Sequence, residues 1–186
     1  MSRIGKLTEY IFDIIYKNYN EKIIELWAVK CANSHLYGVS YMAALIAAKR
    51  GDNVELATMA GMLHDIAYFA PIDSPAGTHA ELGSIISMKI LKELNITSPE
   101  ENEIICSAIK KHSDKDVIDM PFDEILKDAD LLAHGIGDVT TENKDLIGES
   151  RERRWIALCK EFGFLNYENL RSNYAEQAFS IYKSYN

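Results

Sequence analysis

Apolar residues recur at helical spacing along this chain, and no stretch shows the period-two alternation of a half-buried strand. Ile4, Leu7, Tyr10, Ile11, Ile14 and Ile15 form the stripe of an amphipathic helix over residues 4–18, and a second helix is expected from Glu21 to Val29. Cys31 to Ser34 reads as a break, after which His35 opens a third helix that stops at Gly51. The stretch Glu55–Ala67 departs from the amphipathic pattern. From Leu56 to Leu63 it has no polar face, so at about 100° per residue its apolar side chains point all round, as in a central buried helix. Its small residues, Ala57, Ala60, Gly61 and Ala67, allow neighbouring helices to approach closely, and Asp52 with Glu55 fits a capping box at its start. It ends on two adjacent polar residues, His64 and Asp65.

Beyond this element, Phe69 to Thr78 is expected to be a loop, with Pro71, Pro75 and Gly77. Thr78 and Glu81 form a second capping-box pattern, opening a helix to Leu94. Ser98-Pro99-Glu100-Glu101 starts the next one with a cap, a proline in first position and acids in the first turn, and that helix runs to His112. A polar connection leads to Pro121, which opens a helix through Asp130 to Ile136. Residues 137–149 read as irregular, followed by helices over Ser150–Phe162 and Asn166–Ser184. The expectation is an all-α bundle forming a single domain over residues 1–186.

Composition narrows the function classes. A net charge of −8 lacks the basic footprint of a general nucleic-acid binder, although a local cationic site for a small phosphorylated molecule is compatible with it. Cys31, Cys106 and Cys159 are odd in number and form no CxxC, which fits reduced thiols in a cytoplasmic protein. No secretory leader or membrane-spanning apolar run is expected.

The chemistry lies in the histidines. An ionisable His64-Asp65 pair at the end of an apolar helix is costly without compensation, and a metal ion is the simplest compensation for an imidazole beside a carboxylate. The ordinary alternative is a hydrogen-bonded core histidine. His35, His79 and His112 also fall at predicted helix ends, where side chains of separate helices can converge; each alone could be a capping or solvated residue. In LKDADLLAHGIG, Asp128 and Asp130 lie about 100° to either side of the apolar stripe, so periodicity does not choose between them.

Taken in order, His35, the pair His64-Asp65 within AGMLHDIA, and an aspartate within KDADLL resemble the H…HD…D pattern of the HD superfamily of metal-dependent phosphohydrolases. The resemblance spans roughly residues 31–138, with the C-terminal helices of about 150–185 packing on that core. It implies a helical bundle whose metal ligands are His35, His64, Asp65 and Asp130. Asp130 is chosen because the family aspartate sits in an A-D-x-L context, leaving Asp128 to stand behind the ligands. THAELGS around His79 and AIKKHS around His112 resemble family members in which such histidines bind a second ion or face the substrate phosphates, so one or two ions remain open. Some members carry a lysine or glutamate after the HD pair; here the sequence is IAYFAP, with Tyr68, and no proton donor is assigned.

Mixed nitrogen and oxygen donors suit manganese, iron, cobalt, nickel, zinc or magnesium. His64 and Asp65 are then the central catalytic pair. Lys110, Lys111, Lys115 and His134 are candidates to meet the substrate, and the arginine cluster Arg151, Arg153, Arg154 reads as a solvated helix end. The expected activity is hydrolysis of a small phosphate ester or anhydride, a nucleotide foremost. The alternative is an HD module that binds ligand for signalling without turnover. A long nucleic acid and a membrane are not expected partners; a homodimer is compatible.

Overall fold

The computed structural model describes residues 1–70, 77–137 and 149–163, and all regular structure among them is helical. Helix α1 spans Arg3–Asn20, with Ser2 as its cap, and buries Leu7, Ile11 and Ile15. Lys22, with a left-handed φ of 59°, turns the chain out of α1. The second helix therefore starts later than the periodicity suggests, as α2, Leu26–Cys31. The break expected at Cys31–Ser34 does not occur. A π-helical turn, Ala32–Leu36, joins α2 directly to α3, Tyr37–Arg50, and His35 lies within that widened turn. The polar Asn33-Ser34 pair simply faces outward there; wide turns of this kind commonly mark functional positions in helices.

The central helix is α4, Val54–Leu63, with Leu56, Ala57, Met59, Ala60, Gly61, Met62 and Leu63 buried. Its cap is Asn53, whose side chain accepts from the N–H groups of Glu55 and Leu56, rather than Asp52, which instead accepts from the N–H of Asn53. The helix stops at His64, and a short 3₁₀ turn, Ile66–Tyr68, follows. Both later capping boxes are present, at Thr78–Glu81 opening α5, His79–Leu94, and at Ser98–Glu101 opening α6, Pro99–Lys111. Helices α7, Pro121–Gly137, and α8, Glu149–Phe162, complete the described part. The expected irregular stretch lies almost wholly outside the described residues, as does the helix expected over Asn166–Ser184.

Helix α4 packs against α3, α6, α7 and α1, while α3 packs on α7 and α5 on α6. Close approach at the α3–α4 crossing depends on Gly61. A Cβ there would stand 2.5 Å from Ser40 Cα and 2.8 Å from Ser40 N, closer than any side chain tolerates. The small-residue signal in the sequence is thereby located at one contact. The end of α4 is consequently drawn deep into the bundle, with His64 fully buried. No helix among the described residues is long and apolar enough to cross a membrane.

Candidate metal centre

Five elements deliver side chains to one point. His35 comes from the π-helical turn, His64 and Asp65 from the end of α4, His79 from the first turn of α5, His112 from the cap of α6 and Asp130 from mid-α7. His35 Nε2 lies 3.1 Å from His64 Nε2, 3.5 Å from Asp65 Oδ2 and 3.5 Å from Asp130 Oδ1. His64 Nε2 lies 3.4 Å from Asp65 Oδ2 and 3.8 Å from Asp130 Oδ1. On the other side of the same carboxylate, Asp65 Oδ1 is 3.6 Å from His79 Nε2 and 3.5 Å from His112 Nε2. Asp65 thus divides its oxygens between two pairs of imidazoles.

The helix ends also set the tautomers. His64 Nδ1 donates to the Gly61 carbonyl and His112 Nδ1 to the Ile109 carbonyl, each at 2.7 Å. A carbonyl can only accept, so Nδ1 carries the proton and Nε2 of the neutral ring is left with its lone pair facing the cluster. These carbonyls belong to the last helical turn, where main-chain acceptors lack partners within the helix. The same feature that ends the helix aims the ligand. Gly83 helps on the opposite wall: a Cβ there would meet the His64 carbonyl at 2.9 Å, so a glycine lets α5 lie against the end of α4.

The donor set fits a metal ion on geometry. Donors each about 2.1 Å from one ion stand about 3.0 Å apart at a right angle and about 3.4 Å apart in a tetrahedron. Among His35, His64, Asp65 Oδ2 and Asp130 Oδ1, the separations of 3.1 and 3.4 Å fall in that range, and those of 3.5, 3.5 and 3.8 Å lie a few tenths of an ångström above it. Three overlapping groups have all their ligand atoms within 4.8 Å of one another: His35–His64–Asp65, His35–Asp130–His134 and Asp65–His79–His112. Asp65 Oδ1 is buried yet accepts no hydrogen bond, a costly condition that a cation between it and the His79 and His112 nitrogens relieves.

Electrostatics point the same way. Burial disfavours the charged form of His35, but Asp130 and Asp65 outweigh it and push this imidazole up to about 9. Burial alone would raise Asp65; the surrounding imidazoles, His64 foremost, hold it well below the usual carboxylate range. The position therefore demands positive charge. His79 moves the other way, lowered chiefly by burial.

The remaining sequence candidates separate into those near the cluster and those committed elsewhere. His134 joins it at the rim, with Nε2 3.2 Å from Asp130 Oδ1 and its ring 4.6 Å from that of His35. Tyr68 stacks on His79 at 5.3 Å between ring centres and is half exposed. Lys110 is exposed on α6. Lys111, a substrate candidate in the sequence, is instead paired with Asp123 at 2.6 Å and Asp119 at 3.4 Å. Lys115 is turned inward, onto Asp130.

Asp128 does not stand behind the ligands. It meets Arg50 at 2.8 Å and Arg154 at 3.2 Å, because the helical offset that turns Asp130 to the cluster turns Asp128 toward α3 and α8. Arg154, in turn, is no solvated residue. It pairs with Glu124 at 2.6 Å and donates to the carbonyls of Lys115 and Val117. The partners of these side chains lie in distant segments, so spacing along the chain carried no sign of them.

Comparison with known proteins agrees with this geometry. Residues 33–135 match the model of the HD domain. Ribonuclease Y of Oceanobacillus iheyensis is 35% identical over 79 residues, which cover 42% of this chain but only 13% of that protein. The fold resembles the crystal structure of a predicted HD superfamily hydrolase from an uncultured Thermotogales bacterium, with a TM-score of 0.54 and 20% identity over 99% of this chain and 89% of the other. The family match covers more than half of the chain and includes His35, His64, Asp65 and Asp130; this protein belongs to the HD domain family.

Proposed function

We propose that the protein is a metal-dependent phosphohydrolase acting on a small phosphate ester or anhydride, with a nucleotide as the substrate. The observation that carries this reading is the division of Asp65 between two imidazole pairs, with a buried oxygen that no hydrogen-bond donor satisfies. Manganese, iron, cobalt, nickel and zinc suit such mixed donors, and magnesium, which prefers oxygen, fits the imidazoles least. When bound, a divalent ion lowers the pKa of a coordinated water from about 15.7 toward about 7 and polarises a phosphoryl oxygen.

The chain's own residues supply the rest. His35, His64, Asp65 and Asp130 hold the first ion, and the Nδ1 bonds of His64 and His112 keep their Nε2 lone pairs directed inward. His79 and His112 take either a second ion, shared through Asp65, or the substrate phosphate. His134 lies on the exposed rim of the cluster, where an anionic substrate would approach. The net charge of −8 disfavours grip on a long polyanion, since such binding depends on releasing counterions to many basic side chains. We place the protein in the cytoplasm on its reduced-thiol character.

The test is to purify the protein, measure bound metal, reconstitute with each candidate ion and screen nucleotides and short RNA for phosphate, pyrophosphate or fragment release. We expect a retained transition metal and release from a mononucleotide or dinucleotide, abolished by Asp65→Ala. No metal after reconstitution together with no release would overturn the reading. A silent binding module is the second reading, favoured by the commitment of Lys111 and Lys115 to carboxylates. It predicts tight metal-dependent nucleotide binding with no product.

A further inference from the structure

Lys115 follows α6 in a polar connection, yet its side chain is only 2% exposed. Its ammonium has two acceptors, Asp130 Oδ2 at 2.7 Å and the main-chain carbonyl of His112. The first is a carboxylate of the metal centre. The second belongs to the cap of α6, whose imidazole reaches Asp65. The backbone of Lys115 is fixed as well: its carbonyl accepts from Arg154 Nε at 2.8 Å, and Arg154 is held by Glu124 and Asp128.

The two oxygens of Asp130 therefore face different groups. Oδ2 belongs to Lys115, while Oδ1 faces His134 at 3.2 Å, His35 at 3.5 Å and His64 at 3.8 Å. A carboxylate can hold a cation through one oxygen or through both. An oxygen that already accepts a short, charge-assisted bond is a poor second ligand, and the ammonium repels any cation drawn toward it. We propose that Lys115 is a positioning residue that confines Asp130 to ligation through one oxygen, and so keeps a place on the ion open for water and substrate.

This rests on the metal-binding reading above and makes a claim of its own, because charge neutralisation alone leads elsewhere. If Lys115 merely stabilised the fold around Asp130, its loss would loosen the site, and metal affinity and turnover would fall together. If it restrains the second oxygen, its loss frees a ligand and removes a nearby positive charge. Affinity then holds or rises while the open position is lost.

The experiment is manganese titration of the wild type and Lys115→Met, which keeps the length and apolar stem but removes the donor. Water-proton relaxation counts the exchangeable waters on the ion, and turnover is followed with the best nucleotide from the screen. We expect Lys115→Met to bind manganese at least as tightly as the wild type, to carry one fewer exchangeable water, and to turn over about tenfold more slowly or worse, as a misplaced reacting group does. Weaker manganese binding in the variant, or an unchanged water count, overturns the proposal. Should Lys115→Met fail to fold, Lys115→Leu, which also removes the donor, is held to the same two readouts. A wild type that binds no manganese overturns the metal-binding reading itself, a result distinct from any difference between variant and wild type.

Discussion

His64 shows how little of a ligand's role lies in its own identity. Its ring is fully buried, its Nδ1 is spent on the Gly61 carbonyl, and its remaining nitrogen faces His35 and two carboxylates. His64→Ala is expected to weaken binding of the first ion by roughly 100-fold or more, beyond the 10–100-fold typical of removing an outer partner. Isothermal titration with manganese or zinc reads this directly. Replacing both His79 and His112 by alanine leaves the His35 side intact, so the double variant should retain one ion per chain. Metal content by plasma emission tells whether the wild type held two. At this scale the sequence identified the cluster histidines and the HD aspartate, because helix ends are legible from capping residues and turns. It could not separate Asp128 from Asp130 by periodicity. The two lie symmetrically about an apolar stripe, and only the positions of α3 and α8, which carry Arg50 and Arg154, break that symmetry.

At the scale of elements, the crossing of α3 and α4 is the contact on which the site depends. Gly61 contributes twice, by letting Ser40 approach and by offering the carbonyl that orients His64. Gly61→Ala forces two helix backbones apart. It is expected to cost about 1–3 kcal/mol of stability, toward the upper end because the clash is with backbone that cannot rotate away. Urea denaturation measures this, and metal affinity should fall with it, since the His64 anchor moves. The amphipathic stripe of α1 and the capping boxes of α5 and α6 were legible because each is a local pattern. The π-helical turn at His35 was not. Asn33 and Ser34 look like a break in isolation, and only packing of Ala32 and Leu36 into the core keeps the backbone helical through them.

At the scale of the whole molecule, a band of ion pairs ties the connection after α6 to α7 and α8. Lys127, fully buried, bonds Asp119 at 2.6 Å and Glu124 at 3.1 Å, and Arg154 bonds Glu124 at 2.6 Å. Lys127 is foremost in lowering Asp119; in Glu124 burial pulls upward, but the Asp119 N–H, Arg154 and Lys127 reverse it. Both carboxyls are thus more acidic folded than unfolded. Their contribution is complete above the unfolded value near about 4 and drains away as pH falls through the lower folded values. Thermal melts from pH 7 to about pH 3 should show stability falling below about pH 4.5, and Lys127→Met should start lower and fall less steeply over that acid range. The sequence by itself determined that the chain is helical, where most helices begin and end, and which histidines and HD aspartate are candidates, because each follows from residues within one or two turns. Between the carboxylates of α7, periodicity left the choice open and the A-D-x-L resemblance took Asp130, which the structure brings into the cluster; what tertiary structure alone decided is where the cations go. Lys111, Lys115 and Arg154 carry no sign of their partners along the chain; each is drawn to a carboxylate or carbonyl supplied by another segment, and for Lys115 burial makes that pairing obligatory.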